Sequence, residues 1–273
     1  MNNQGLFWVD VVREIGRGGL GVVEEVHVSR STCEYPVGLR LARKKLGPQW
    51  AADPGATERF EREISMLSTM SHPTIVPFRG RNVAGERTYF MPLYANSLRQ
   101  TILAMNSVGL PLRSVISIGL NLASALEYAH ARNYVHRDLK PENILVASNG
   151  DYVIADWGLG QFIHKESKVF DLTRGVGLGT ALYCPLEQWA NGQCGAPGDI
   201  YSLGLVLAEL ALGRGGLIAQ TGVGLPRGVF GFAQMPVVEF DRIIAKMTAM
   251  FAKDRYQTVT ALRADLLTLQ ALV

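Results

Sequence analysis

The 273-residue chain has only three cysteines, Cys33, Cys184 and Cys194, scattered and odd in number. That excludes a disulfide framework and the paired spacing of a zinc site, and it points to a reducing compartment. Blocks of Lys and Arg are missing and the net charge is a slight +3, which argues against nucleic acid as a partner while suiting an anionic ligand. No apolar run is long enough to span a bilayer. The most apolar one, Leu203 to Gly213, is short, carries Glu209 and reads as a buried helix. The opening MNNQGLFWVD lacks the basic start and apolar core of a signal peptide. Internal repeats and low-complexity tracts are absent as well. What is there, 48% hydrophobic and 19% charged residues, describes a soluble folded chain long enough for one large domain or two lobes, and the absences above lead us to expect the cytoplasm.

The first third reads as strands. FWVDVVREIG and GVVEEVHV are β-branched runs on either side of the glycine cluster GRGGLG, a hairpin pattern, and VGLRLARKKL alternates as a half-exposed strand does. TERFEREISMLSTMS spaces Phe60, Ile64 and Leu67 for one face of a helix. HPTIVPF and RTYFMPLY return to extended character, and a connector is expected near residues 92–97. Beyond it, SVISIGLNLASALEYAHAR aligns positions 115, 118, 122, 126 and 129 in a helical stripe, and further helices follow DIYSLG and Val237. A strand-rich part followed by a helix-rich part predicts an α+β fold in two lobes.

Three groups of residues carry chemistry. Gly16, Gly18 and Gly21 have G-x-G-x-x-G spacing, with Val23 two places on. Glycines let backbone N–H groups approach phosphate oxygens, although the same triplet also marks a tight hairpin. The strand-like VVEEVHV behind it argues against a dinucleotide site, which needs a helix there. Lys44 or Lys45, on the next strand, points inward to reach phosphate, since neighbours on a strand face opposite ways. Glu63, one helical turn before Leu67, offers a carboxylate to pair with Lys44. The densest group is YVHRDLKPENILV, residues 134–146: Asp138 and Asn143 lie on one loop, and Asp156 follows a strand later in ADWGLG. Two carboxylates and an amide oxygen suit Mg²⁺ with nucleotide phosphates, leaving one carboxylate free as a base, and Lys140 can neutralise a transferring phosphoryl group.

With these motifs the sequence resembles the eukaryotic-like, Hanks-type serine/threonine protein kinase family over nearly its whole length, and GRGGLG and RYQTVTALRADL resemble bacterial members. The resemblance implies a β-rich nucleotide-binding lobe over residues 1–94 and a helical catalytic lobe over 95–273. Asp138 is then the base, Lys140 and Lys44 with Glu63 assist catalysis, and Asn143 and Asp156 hold Mg²⁺. Gly16, Gly18, Gly21 and Lys44 hold the ATP phosphates, while Val23, Ala42, Met91, Leu93 and Leu145 surround the adenine, Met91 as gatekeeper. It further implies that Glu187 pairs with Arg255, that Asp199 braces the catalytic loop, and that Leu67, Phe78, His136 and Trp157 stack. The lysine of HRDLKPEN and Thr180 imply protein substrates with serine or threonine acceptors.

The match departs from the family in four places. Arg43 replaces an apolar residue beside Lys44 and should face the other way. Trp157 stands for phenylalanine and could lock Asp156 inward, its indole N–H needing a partner. CPLE moves the expected proline, and GRGGLIAQTGVGLPRGVFGFAQMP is short for substrate-side helices. Arg137, before Asp138, implies a phosphorylated activation loop, with Thr173 or Ser167 as autophosphorylation sites. The chain leaves almost no room for a regulatory domain, so control is expected from a regulatory partner or from a neighbouring domain outside it. A pseudokinase, binding nucleotide or acting as a scaffold, is the alternative, which loss of Lys44, Asp138 or Asp156 would have favoured.

Overall fold

A computed structural model describes residues 8–17, 20–31, 35–82, 87–105, 109–159, 182–191, 194–218 and 235–273. Gly18, Ser167, Thr173, Thr180 and most of the glycine-rich stretch after Gly213 lie outside them. The chain divides into two compact units, Met1–Ala95 and Asn96–Val273, one residue beyond the division read from the sequence.

The first unit is a five-stranded antiparallel sheet in the order β1-β2-β3-β5-β4, formed by β1 (Val9–Arg17), β2 (Gly21–Val28), β3 (Arg40–Leu46), β4 (Gly80–Asn82) and β5 (Thr88–Pro92). HPTIVPF contributes no strand of its own: its two prolines lack the N–H that a ladder requires. Helix α1 (Pro54–Thr69) starts where Asp53 accepts the Ala56 N–H at 2.9 Å and Pro54 fixes the first turn. Its apolar stripe, Phe60, Ile64 and Leu67, is fully buried, each side chain contributing about 2 kcal/mol by leaving water. Gly21 is required by packing: a Cβ there would lie 2.4 Å from the Lys45 carbonyl oxygen.

The second unit carries a small sheet, β6 (Asn96–Ser97), β7 (Ile144–Val146) and β8 (Tyr152–Ile154), amid helices α2 (Leu98–Ala104), α3 (Leu112–His130), α4 (Leu186–Asn191), α5 (Ala196–Ile218), α6 (Met235–Met247) and α7 (Val259–Gln270). The stripe of α3, including Val115, Ile118, Leu122, Leu126 and Ala129, is buried, and so is the apolar run of α5 through Leu210. A run hydrophobic all round is what a helix enclosed by α3 and α6 requires. The backbone of α5 breaks at Gly213 (φ 70°), a left-handed conformation that glycine adopts at no steric cost.

The joint between α3 and α7 supplies a pH test. Glu127 accepts the Thr260 hydroxyl at 2.5 Å and is ion-paired with Arg263. Burial pushes its carboxyl up, but Thr260 and Arg263 outweigh that and hold it below the ordinary 4.5. A lowered folded value gives stability that is complete above 4.5 and lost as pH falls through the folded value. Glu127→Gln should therefore cost about 1 kcal/mol at neutral pH. The gap to wild type, followed by urea denaturation, should close as the solution is acidified below 4.5. A gap that is constant with pH would show that the charge contributes nothing.

Candidate active site

Register sorts the two lysines of β3. Lys44 lies opposite Val23 on one side and Tyr89 on the other, and Ala42 lies opposite Met91. Cross-strand partners, and residues two apart, share a face, so Val23, Ala42, Lys44, Tyr89 and Met91 form one surface. On it Lys44 Nζ donates to Glu63 Oε1 at 2.7 Å and Oε2 at 2.8 Å, with side chains 7% and 1% exposed. Tyr89 Oη donates to the same carboxylate at 2.9 Å, a partner that sequence spacing did not reveal and the β3–β5 register does. Arg43 and Lys45 face the other way and share Glu24, each at 2.6 Å. Burial raises the Glu24 carboxyl, yet these two cations together hold it below its ordinary range. Arg43 is accommodated on the opposite face, as the strand alternation predicts. Of the described glycines of the loop, Gly16 has open space where a Cβ would be and pairs with Val23 across the β1–β2 ladder. Met91 is buried, while Val23 and Leu93 are half-buried.

In the second unit the residues of HRDLKPEN converge on one carboxylate. Lys140 Nζ donates to Asp138 Oδ2 at 2.8 Å and Oδ1 at 3.1 Å. Asn143 Nδ2 donates to the Asp138 backbone oxygen at 2.8 Å and to Oδ2 at 3.0 Å. Burial pushes the Asp138 carboxyl above its ordinary range, Lys140 pulls it back, and the charge of nearby Asp156 raises it again. Asp156 follows β8, where Ala155 N–H donates to the Asn143 carbonyl at 2.8 Å. Asp138, Lys140, Asn143 and Asp156 are thus brought together, and half-buried Leu145 sits on β7 beside them.

The loop's shape is imposed from outside it. Arg137 (φ 68°) and Asp156 (φ 60°) are left-handed. Asp tolerates that conformation, whereas a long side chain such as Arg is strained in it. Both backbone groups of Arg137 are held by other elements: Asp199 Oδ1 of α5 accepts its N–H at 2.8 Å, and Gln188 Nε2 of α4 donates to its carbonyl at 2.8 Å. Asp199 Oδ2 also accepts the His136 N–H at 2.7 Å and lies 2.8 Å from His130 Nε2. Asp199 is fully buried, which raises its carboxyl. The hydrogen bond from His130, with the neighbouring His136 and the Arg137 backbone N–H, more than offsets this and keeps it below the ordinary range. His136 Nδ1 accepts the Asp138 N–H at 3.2 Å and Nε2 meets the Ala155 carbonyl at 3.0 Å, the pattern of a ring with its proton on Nε2. Trp157 packs edge-on against that ring at 4.6 Å, and its indole N–H finds the Ile154 carbonyl at 3.1 Å. Glu187 and Arg255 form a bidentate pair at 2.7 and 3.0 Å. His130 and Gln188 were not apparent in the sequence. Both are ordinary polar residues on helices, and only their partners give them meaning.

The buried Lys44–Glu63 pair yields a stability prediction. Removing one partner leaves a charge buried alone, so Lys44→Met should cost about 3 kcal/mol. Adding Glu63→Gln should recover part of the loss, with a coupling of about 2 kcal/mol in a double-mutant cycle by urea denaturation. Additive single losses would mean that each residue is held by other neighbours.

Comparison with known proteins places these features in context. Residues 9–224 match the protein kinase domain family. Serine/threonine-protein kinase PknB of Mycobacterium leprae is 28% identical, over 91% of this chain and 41% of its own length. Serine/threonine-protein kinase PknD of Protochlamydia amoebophila is 27% identical, over 94% of this chain and 29% of its own length. The chain therefore spans less than half the length of these bacterial relatives. Among solved structures, the PknI kinase domain of Mycobacterium tuberculosis superposes with a TM-score of 0.68 at 22% identity, covering 98% of this chain and 99% of that one. A cysteine-to-alanine mutant of the same domain gives 0.70 at 24% identity, covering 99% of each chain. That likeness shows the protein kinase fold, and with the family match over most of the sequence, the chain belongs to the protein kinase domain family.

Proposed function

We propose that this chain is the catalytic domain of a serine/threonine protein kinase, which transfers the γ-phosphoryl group of ATP to serine or threonine hydroxyls of proteins. The observation that carries the reading is Asp138, held between Lys140 and Asn143 on a loop whose backbone is fixed by Asp199. Asp138 accepts the proton of the substrate hydroxyl as that oxygen bonds to the γ-phosphorus. The bond from phosphorus to the leaving oxygen of ADP breaks, and Lys140 neutralises charge on the moving group. Lys44, directed by Glu63, holds the α- and β-phosphates with the backbone of Gly16, Gly18 and Gly21. We assign Val23, Ala42, Met91, Leu93 and Leu145 to the adenine.

Members of the family use ATP with a divalent metal, and the donors present here fit one: the carboxylate of Asp156 and the amide oxygen of Asn143 are hard oxygen ligands. We assign Mg²⁺ to them, where it would neutralise phosphate charge. Serine/threonine specificity is supported by Lys140 within HRDLKPEN and by the names of the bacterial relatives. The pseudokinase alternative finds no support, since Lys44, Asp138 and Asp156 are all present.

Autophosphorylation at Thr173 or Ser167 belongs to the same proposal. Arg137 is buried, and its Nε and Nη2 have no partner among the described residues, an arrangement in want of an anion. We further propose a cytoplasmic location and control by a regulatory partner. The location is supported by the free thiols of Cys184 and Cys194. No helix among the described residues is long and apolar enough to cross a membrane.

Labelled ATP with Mg²⁺, offered to the protein alone and with a basic protein substrate, tests the reading. Asp138→Asn should lower transfer by about 100-fold or more, while nucleotide still raises the melting temperature. Transfer that survives the substitution would remove Asp138 from its role. Mass spectrometry after incubation with MgATP should find phosphate on Thr173 or Ser167, and a loop without phosphate would remove the autophosphorylation step.

A further inference from the structure

Glu209 is a carboxylate in the middle of the apolar run of α5, 2% exposed, with Leu207, Ala208 and Leu210 buried around it. A charge in such surroundings persists only when fully paired. Its partners come from two distant segments. Arg99 of α2 donates Nη1 to Glu209 Oε1 at 2.5 Å, and the Tyr183 hydroxyl donates to Oε2. Arg99 Nη2 donates to that same hydroxyl oxygen at 2.7 Å, closing a triangle, and Nε donates to Glu142 Oε1 at 2.7 Å. Burial and the Glu209 charge push the Tyr183 phenol far above its ordinary range, so it remains a proton donor.

One guanidinium thus spends all three of its nitrogens on three parts of the chain. Glu142 lies in the catalytic loop, one residue before Asn143. Tyr183 lies on the polypeptide that runs from the 160–181 segment into α4 and the Glu187–Arg255 pair. Glu209 anchors both to the core. A planar fork presents donors on three separate nitrogens in fixed directions, whereas an ammonium's three donors radiate from a single atom and span less.

We propose that Arg99 is a positioning residue for transfer to protein substrates: it sets the spacing between the catalytic loop and the chain entering α4, between which an acceptor hydroxyl must be held. This rests on the kinase reading above. Its bonds go to Glu142, Tyr183 and Glu209, so its loss should act on the protein substrate and leave ATP handling alone.

The test is steady-state kinetics of wild type, Arg99→Lys and Tyr183→Phe, varying ATP and, separately, myelin basic protein. Arg99→Lys keeps the charge but loses the fork. It should lower kcat/KM for myelin basic protein by roughly tenfold, with KM for ATP within about twofold of wild type. Tyr183→Phe should produce a smaller change of the same kind, and it alone decides the matter if Arg99→Lys does not fold. Wild-type kinetics toward myelin basic protein in these variants would overturn the inference. So would equal losses toward both substrates, as a merely structural role predicts. A wild type that binds nucleotide yet transfers nothing would defeat the kinase reading itself, and this inference with it.

Discussion

The buried carboxylate of Asp199 is the constraint on which the rest of the catalytic loop depends. It is enclosed by the second unit, accepts two consecutive backbone N–H groups, and meets His130 from the end of α3. Outside a helix, two consecutive N–H groups can converge on one acceptor where the backbone turns through a left-handed residue, and here that residue is Arg137. A side chain on a rigid helix thereby dictates the turn that presents Asp138. The loop has little choice of its own: Gln188 closes the other side of Arg137, and Asn143 ties the carbonyl of Asp138. Strain held by over-determination in this way is a common property of sites that must be preorganised.

The two units solve the same electrostatic problem differently. In the first, Lys44 and Glu63 are buried almost completely and satisfy each other, with Tyr89 completing the carboxylate. In the second, Asp138 sits with Lys140 while Asp156 stands near enough to raise it. The first arrangement fixes a cation. The second keeps two carboxylates near enough for one to raise the other, negative charge that the proposed Mg²⁺ would offset.

Much of this was legible in the sequence, and the reasons differ by residue. The strands around GRGGLG, the stripes of α1 and α3 and the buried run of α5 follow from periodicity, because burial on one face leaves a repeat in the chain. The choice between Lys44 and Lys45 needed the register of β2, β3 and β5, which alternation alone does not provide. Asp138, Lys140 and Asn143 were visible because they are adjacent in sequence. Arg99 and Glu209 were not, being 110 residues apart, and Gln188 lies 51 residues from the carbonyl it serves. Such bonds leave no local pattern, and each partner alone looks like a solvated surface residue or an oddity in an apolar run. Gly21 taught the opposite lesson. A glycine read as an opening for phosphate is also needed where β2 pairs with β3, because the Lys45 carbonyl already fills the place of its side chain.

The left-handed backbone of Arg137 has a historical consequence. An arginine there is strained where a glycine, asparagine or aspartate would not be, since those residue types tolerate such angles. Random substitution therefore pushes this position toward residues that relax the turn and abolish the cation. Keeping an arginine at such angles costs folding stability, and the benefit to set against it is what the guanidinium meets. In a lineage that no longer needed that encounter, Arg137 would be among the first residues to drift, well before the aspartate beside it.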